Sequence, residues 1–177
     1  MGNRRSCSDA FPGLVLRRSG PEAGLLIAES RIPNPQSPAF SIPTRVYWED
    51  TDAGGVVYHA QYLAFLERAR TEWMRALGYG QERLRAEHDL VFAVRAMRID
   101  FRAPARLDDA LQVSAALRQC RKASLVIAQE IRRDGVLLLD AEVRVAALQA
   151  TGFRPRAIPD ALYQELNRLA EPGAEPE

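Results

Sequence analysis

Between Tyr62 and Gln149 the apolar residues change period once, and that change limits what the chain can fold into. Tyr62, Phe65, Leu66, Ala69, Trp73 and Leu77 recur at steps of three and four, one stripe along an amphipathic helix that the spacing starts near residue 59. Arg68, Glu72 and Arg75 fall on its outer face at ion-pair spacing, and Gly78 and Gly80 end it. From residue 90 to 149 the period is two. Met97, Ile99 and Phe101 alternate with Arg98, Asp100 and Arg102; Leu111, Val113, Ala115 and Leu117 alternate with polar neighbours; so do Leu139, Ala141, Val143 and Val145. Asp134-Gly135 is a two-residue hairpin signal between two of these runs. A further strand is expected over residues 42–48, and a last helix over 159–170 carries Leu162, Leu166 and Leu169 on one face. One strand, one long helix and four more strands form an α+β layer: a helix stripe laid on one face of a five-stranded antiparallel sheet, with a short C-terminal helix. Such a sheet has bare edges, so self-association is expected.

This unit occupies residues 40–170. Six of the eleven prolines lie in the first 43 residues, where no period persists, so 1–39 reads as a mobile proline-rich extension. Its first residues, Met1-Gly2-Asn3-Arg4-Arg5-Ser6, match only the loose pattern for myristoylation. Residues 171–177 form an acidic tail. With 24 Lys+Arg against 23 Asp+Glu the net charge is +1, not the basic excess of a nucleic-acid binder. No apolar run approaches the ~18 residues of a membrane span. Cys7 and Cys120 make neither a disulfide framework nor a metal cluster, which points to the reducing cytoplasm. His59 and His88 are the only histidines, so a multi-histidine metal site is excluded, and no metal or redox cofactor is expected. His88, in Arg85-Ala86-Glu87-His88-Asp89, reads as a solvated residue of a charged loop. Gly-rich phosphate loops and a Gly-x-Ser-x-Gly elbow are absent.

Chemistry concentrates in Trp48-Glu49-Asp50-Thr51-Asp52-Ala53-Gly54-Gly55-Val56-Val57-Tyr58-His59. A strand leaves the sheet, carboxylates gather in a loop, two glycines permit close approach, and a helix begins. Free N–H groups at a helix start, with the positive end of the dipole behind them, stabilise a negative oxygen developing on a carbonyl. A carboxylate a few residues earlier can activate water or attack the carbonyl itself. The same residues equally suit a capped turn before a helix with a surface histidine, and spacing leaves both open.

This segment, with Tyr62-Leu63-Ala64-Phe65-Leu66-Glu67-Arg68-Ala69-Arg70-Thr71-Glu72, Phe101-Arg102-Ala103-Pro104-Ala105-Arg106-Leu107-Asp108-Asp109, Ala123-Ser124-Leu125-Val126 and Arg154-Pro155-Arg156-Ala157-Ile158-Pro159, resembles the Tol–Pal-associated acyl-CoA thioesterases of the YbgC type. These belong to the 4-hydroxybenzoyl-CoA thioesterase family of hotdog enzymes, in which the sheet wraps the long helix. The resemblance covers about residues 40–169. It implies hydrolysis of an acyl-CoA, or of an acyl group on acyl carrier protein, by a homodimer or homotetramer with sites at subunit interfaces. The catalytic aspartate of the family falls on Asp52 and its helix-start histidine on His59, whose backbone N–H would polarise the thioester carbonyl. Glu67 lies on the flank of the helix wheel shared with His59 and Leu63, as a second polar group lining the cavity or as an ion-pair partner of Arg70. Arg102, Arg106, Arg121, Lys122 and Ser124 are the candidates for holding CoA.

One departure stands out. The type commonly carries Tyr-Tyr before Glu-Asp-Thr-Asp, whereas this chain has Tyr47-Trp48. An indole donates a hydrogen bond but neither accepts nor ionises usefully, so Trp48 is assigned to lining the pocket rather than to proton transfer. Two other functions fit the fold: a hotdog enoyl-CoA hydratase, whose Asp-x4-His pattern differs from the six residues separating Asp52 and His59, and a non-catalytic binding module for acyl carriers.

Overall fold

A computed structural model of the chain describes residues 40–170; the expectations for 1–39 and 171–177 lie outside the described residues. In chain order it has β1 (Phe40–Arg45), a 3-10 turn (Trp48–Asp50), α1 (Gln61–Ala76), α2 (Gln81–His88), β2 (Leu90–Phe101), β3 (Ala110–Arg121), β4 (Ser124–Arg133), β5 (Val136–Gln149) and α3 (Asp160–Leu169). The five strands form one antiparallel sheet in the order β1-β3-β4-β5-β2. This is the expected α+β architecture.

The helix stripe decides the packing. Tyr62, Phe65, Leu66, Ala69 and Trp73 are all buried against the inner face of the sheet, and Met74 joins them. Facing them, Leu111, Val113, Ala115 and Leu117 on β3 and Leu139, Ala141, Val143 and Val145 on β5 are buried, as period-two alternation requires. On the outer face of α1, Glu72 and Arg75 form an ion pair, while Arg68 stacks over the Phe65 ring with its guanidinium carbon 5.8 Å from the centroid. α3 closes one end through buried Leu162 and Leu166. The two-residue turn Asp134-Gly135 joins β4 to β5 with φ of 51° and 80°, the left-handed pair a tight hairpin needs.

Three boundaries differ from expectation. The first strand ends at Arg45 rather than at 48, because the Asp50 carboxylate accepts the Tyr47 N–H at 2.7 Å and draws Trp48–Asp50 into a 3-10 turn. The long helix begins at Gln61, and His59 lies in the turn before it, closed by the Gln61 N–H on the Tyr58 carbonyl at 2.8 Å. The charged run ending in His88 is not a loop but the last turn of α2. Only Leu84, 1% exposed, anchors that helix, so it carries no apolar stripe to reveal it. Asp89 then ends α2 in the left-handed conformation (φ 49°) and binds Arg156 at 3.1 Å, locking the α2–β2 junction to the segment before α3.

The two sheet edges are unequal. β1 has six residues and includes Pro43, which an edge strand tolerates. β2 offers twelve residues, interrupted between Val94 and Ala96 by an irregularity in its pairing with β5. Val94 and Phe101 on β2 are half exposed.

Tyr62 ties the helix to the loop end of the sheet. Its hydroxyl accepts the N–H of fully buried Ala105 at 2.9 Å, and the Ala105 carbonyl accepts the Val57 N–H at 2.9 Å. Replacing Tyr62 by Phe leaves that amide without a partner and is expected to cost about 1–3 kcal/mol in urea unfolding, although the ring is kept. Burial also raises the Tyr62 phenol above its ordinary 10.0. The folded state therefore favours the protonated phenol, whose stabilising contribution is intact below pH 10 and lost as pH rises through the raised value. Tyr62→Phe is expected to flatten the alkaline limb of a stability-against-pH curve.

Candidate active site

The segment joining β1 to α1 is pinned where it leaves the sheet and folds back on itself. Val46 donates to the Asp109 carbonyl at 3.0 Å and its own carbonyl accepts the Asp108 N–H at 3.1 Å, fixing the exit from β1. A bridge between Thr51 and Val57 folds the segment back on itself. The three acids of the loop then separate. Asp50 is buried at 3% exposure: one oxygen accepts the Tyr47 N–H, the other accepts Gln61 Nε2 at 2.5 Å, and its carbonyl accepts the Tyr58 N–H at 2.9 Å. It is a strut between loop and helix. Glu49 and Asp52 face outward.

Asp52 occupies the turn. Its N–H donates to the Val56 carbonyl and its carbonyl accepts the Gly55 N–H, both at 3.0 Å. Asp52 Oδ1 accepts the Gly54 N–H at 2.8 Å; Oδ2 has no partner among the described residues. A carboxylate oriented through one oxygen with the other open is a competent base or nucleophile. Both positions favour glycine. A β-carbon on Gly54 would stand 3.0 Å from Asp52 Oδ1, and Gly55 has φ +72°.

His59 follows on the returning limb. Its ring lies against Tyr58, centroids 4.4 Å apart, and its backbone N–H, at the head of α1, has no acceptor among the described residues. Free N–H donors at a helix start suit a developing oxyanion. Trp48 is 79% exposed and Tyr47 63%, so within one chain the indole is a bare surface beside the loop.

A cavity of about 170 Å³ lies between α1, α2 and the first half of β2. Trp73, Met74, Leu84, Leu90, Leu125, Ile127 and Val145 make it apolar inside, and Glu67, Arg70, Thr71 and Gln81 stand among its lining. Glu67 lines this cavity rather than one shared with His59, and it accepts the Thr71 hydroxyl at 2.7 Å. Asp52 and His59 do not line it. Eight residues at ~1.5 Å rise place Glu67 roughly 12 Å along the helix from His59.

The five CoA candidates do not form one cluster. Arg102 and Arg106 lie beside the β2–β3 loop that holds Val57, at the Asp52 end; Arg102 pairs with Asp140 at 2.8 Å, and the Arg106 N–H is tied to Asp109. Arg121, Lys122 and Ser124 lie at the β3–β4 turn, the far end of β3, about 35 Å away at strand rise. Sequence proximity to strand ends does not say which end, and alternate strand ends point in opposite directions.

Gln129 was not picked out from the sequence. It is 1% exposed, donates to the carbonyls of Leu66 at 3.0 Å and Ser114 at 3.1 Å, and accepts Arg70 at 2.7 Å. The signal was its place in the alternation Leu125, Ile127, Gln129, Ile131, a polar residue on the inward face. Burial lowers the Arg70 guanidinium from its ordinary value, and Glu67 opposes this. Burial raises the Cys120 thiol to about 11, leaving it unreactive near neutrality. No helix among the described residues is long and apolar enough to cross a membrane.

The sequence profile described as the thioesterase-like superfamily matches residues 46–166. Among curated proteins, the acyl-CoA thioester hydrolase YbgC of Escherichia coli is 46% identical over 130 residues, covering 73% of this chain and 96% of the relative. The acyl-CoA thioesterase YbgC of Haemophilus influenzae is 45% identical over the same shares. A solved structure of a probable thioesterase from Bartonella henselae superposes with a TM-score of 0.66 at 34% identity, covering 69% of this chain and all of that one. The match runs from the loop that presents Asp52 through the last helix, and by it the chain belongs to the thioesterase-like superfamily.

Proposed function

We propose that the chain hydrolyses acyl-CoA thioesters, with Asp52 as general base or nucleophile and the His59 N–H polarising the thioester carbonyl. The observation that carries this is the Asp52 carboxylate, oriented by the Gly54 N–H and open at Oδ2, in the same short loop as the His59 N–H, which meets no acceptor among the described residues. Oxygen, from water deprotonated by Asp52 or from Asp52 itself, forms the new C–O bond; the C–S bond breaks, and the thiolate leaves and takes up a proton. Direct attack would leave an anhydride that water then opens, so both routes end in acid and free CoA. The YbgC relatives, matched over nearly their whole length, support this substrate class.

The working unit is proposed to be a homodimer, or a tetramer built from it, joined through β2. Its twelve-residue edge is bare and carries half-exposed Val94 and Phe101; Tyr58 and Trp48, in the loop that Val57 ties to the β2–β3 connection, are exposed too. Two β2 edges paired antiparallel set the first half of one against the second half of the other. The Asp52 end of one copy then faces the cavity of its partner, and Glu67 and Trp48 become pocket residues from different copies. The same operation turns Arg121, Lys122 and Ser124 of the partner to the end that holds Arg102 and Arg106. These five are proposed to hold the CoA phosphates by charge-assisted bonds.

Purified Asp52→Asn is expected to keep its fold and oligomer while release of free thiol falls by ~100-fold or more, the scale of a lost general base. Near wild-type turnover by that variant removes Asp52 from the mechanism. A mixture tests the two-copy site. Asp52→Asn and Thr71→Trp, the latter plugging the cavity mouth, are each expected to be inactive. Coexpressed in equal amounts, half the dimers are mixed and hold one intact site of two, so about a quarter of wild-type activity returns. A mixture no more active than its parents shows that cavity and Asp52 work within one chain.

A further inference from the structure

The small cavity has three properties that bear on what enters it. It is walled by fixed residues: Leu84 on α2, 1% exposed, lines it together with buried Trp73 and Met74 of α1, and α2 is held in place by its junction at Asp89. It is sorted by polarity: Glu67, Thr71 and Gln81 are linked across its mouth, Gln81 Nε2 to Thr71 Oγ1 and Thr71 to Glu67, both at 2.7 Å, while the buried interior is apolar. And it is small. A cavity of 150 Å³ lined by aliphatic and aromatic side chains holds benzene, so about 170 Å³ takes roughly six or seven carbon-sized atoms. The larger hollow, about 710 Å³ on the outer face of the sheet, is open and walled by Arg98, Arg144, Asp100 and Glu142, with no apolar depth for a hydrocarbon.

We propose that the small cavity seats the acyl group, that it restricts the substrate to compact apolar acyl groups of about six carbons, chain or ring, and that Leu84 on α2 sets this limit. This rests on the thioesterase function proposed above. A longer chain meets Leu84 before its carbonyl reaches the mouth. An acyl group with a carboxylate or hydroxyl at its far end strands that group in the apolar interior, where burial without a partner is costly. The polar groups at the mouth are left for the thioester and the carrier arm.

Two readouts test it. The first is kcat/KM for acetyl-, butanoyl-, hexanoyl-, octanoyl-, dodecanoyl-, adipoyl- and benzoyl-CoA. The second is calorimetric binding of the corresponding S-alkyl-CoA thioethers, which cannot be hydrolysed. Wild type is expected to gain about fourfold per methylene up to hexanoyl or octanoyl. It should then lose at least tenfold at dodecanoyl and reject adipoyl. Preference between hexanoyl and benzoyl shows whether the occupant is a chain or a ring. Leu84→Ala and, independently, Met74→Ala are expected to move the optimum two or more carbons longer; with two variants, poor folding of one leaves the other to decide. An optimum at dodecanoyl or beyond in wild type overturns the proposal. So does an unmoved optimum in variants that keep wild-type circular dichroism and oligomeric state. If the thioethers bind with this length limit but no thioester is cleaved, the cavity assignment stands and the catalytic one fails. Cleavage without a length limit does the reverse.

Discussion

The apolar stripe of α1 has one surface large enough to bury it, the inner face of the sheet, and most of the molecule follows from that contact. A sheet that receives a helix along one face turns its alternate residues outward, which is why Arg98, Asp100, Glu142 and Arg144 line the opposite side. The inward residues of β3, β4 and β5 are buried, whereas β2, at the edge of the sheet, keeps half-exposed apolar residues and an unpaired backbone. The N-terminus of α1 is carried to the end of the sheet where the β2–β3 loop lies, and there the Tyr62 hydroxyl and the Ala105 amide meet. The loop that presents Asp52 hangs from this junction through Val57.

Two neighbouring carboxylates show how burial divides labour. Asp50 and Asp52 are two residues apart and chemically alike, yet the Asp50 carboxylate has both oxygens occupied, by the Tyr47 N–H and by Gln61 Nε2, while Asp52 keeps one oxygen open. The buried one makes the exposed one useful, because it fixes Tyr47, Gln61 and Tyr58 around the turn. Gln129 acts similarly deeper in the molecule. It joins α1 to β3 and β4 through the Leu66 and Ser114 carbonyls and holds Arg70 at the cavity, so the rotation of the helix about its axis is set by a polar contact as well as by packing. Fully satisfied buried polar groups of this kind specify one arrangement among many that an apolar core alone would accept.

What escaped the sequence did so for identifiable reasons. α2 has one buried residue, Leu84, and a single anchor leaves no period; its helical state is conferred by the packing of that leucine and by the left-handed stop at Asp89. The strand written through to Trp48 is cut short because a side chain three residues ahead competes for the Tyr47 amide. Proposed CoA groups at Arg102 and Arg121 look equivalent in a list of strand ends and lie at opposite ends of β3.

From the sequence alone come the α+β class, the five strands, the long helix, the hairpin at Asp134-Gly135 and the loop with Asp52 and His59, because each rests on local periodicity, turn chemistry or an unbroken motif. The superfamily, too, is legible in that motif. Only the tertiary structure decides the sheet order that leaves β2 bare, the burial of Asp50 beside an exposed Asp52, the polar tie at Gln129, and a cavity walled in part by a helix with no pattern of its own. These are properties of residues far apart in the chain brought within contact distance. Their energies depend on what lies across the interface, and no window of neighbouring residues contains that information.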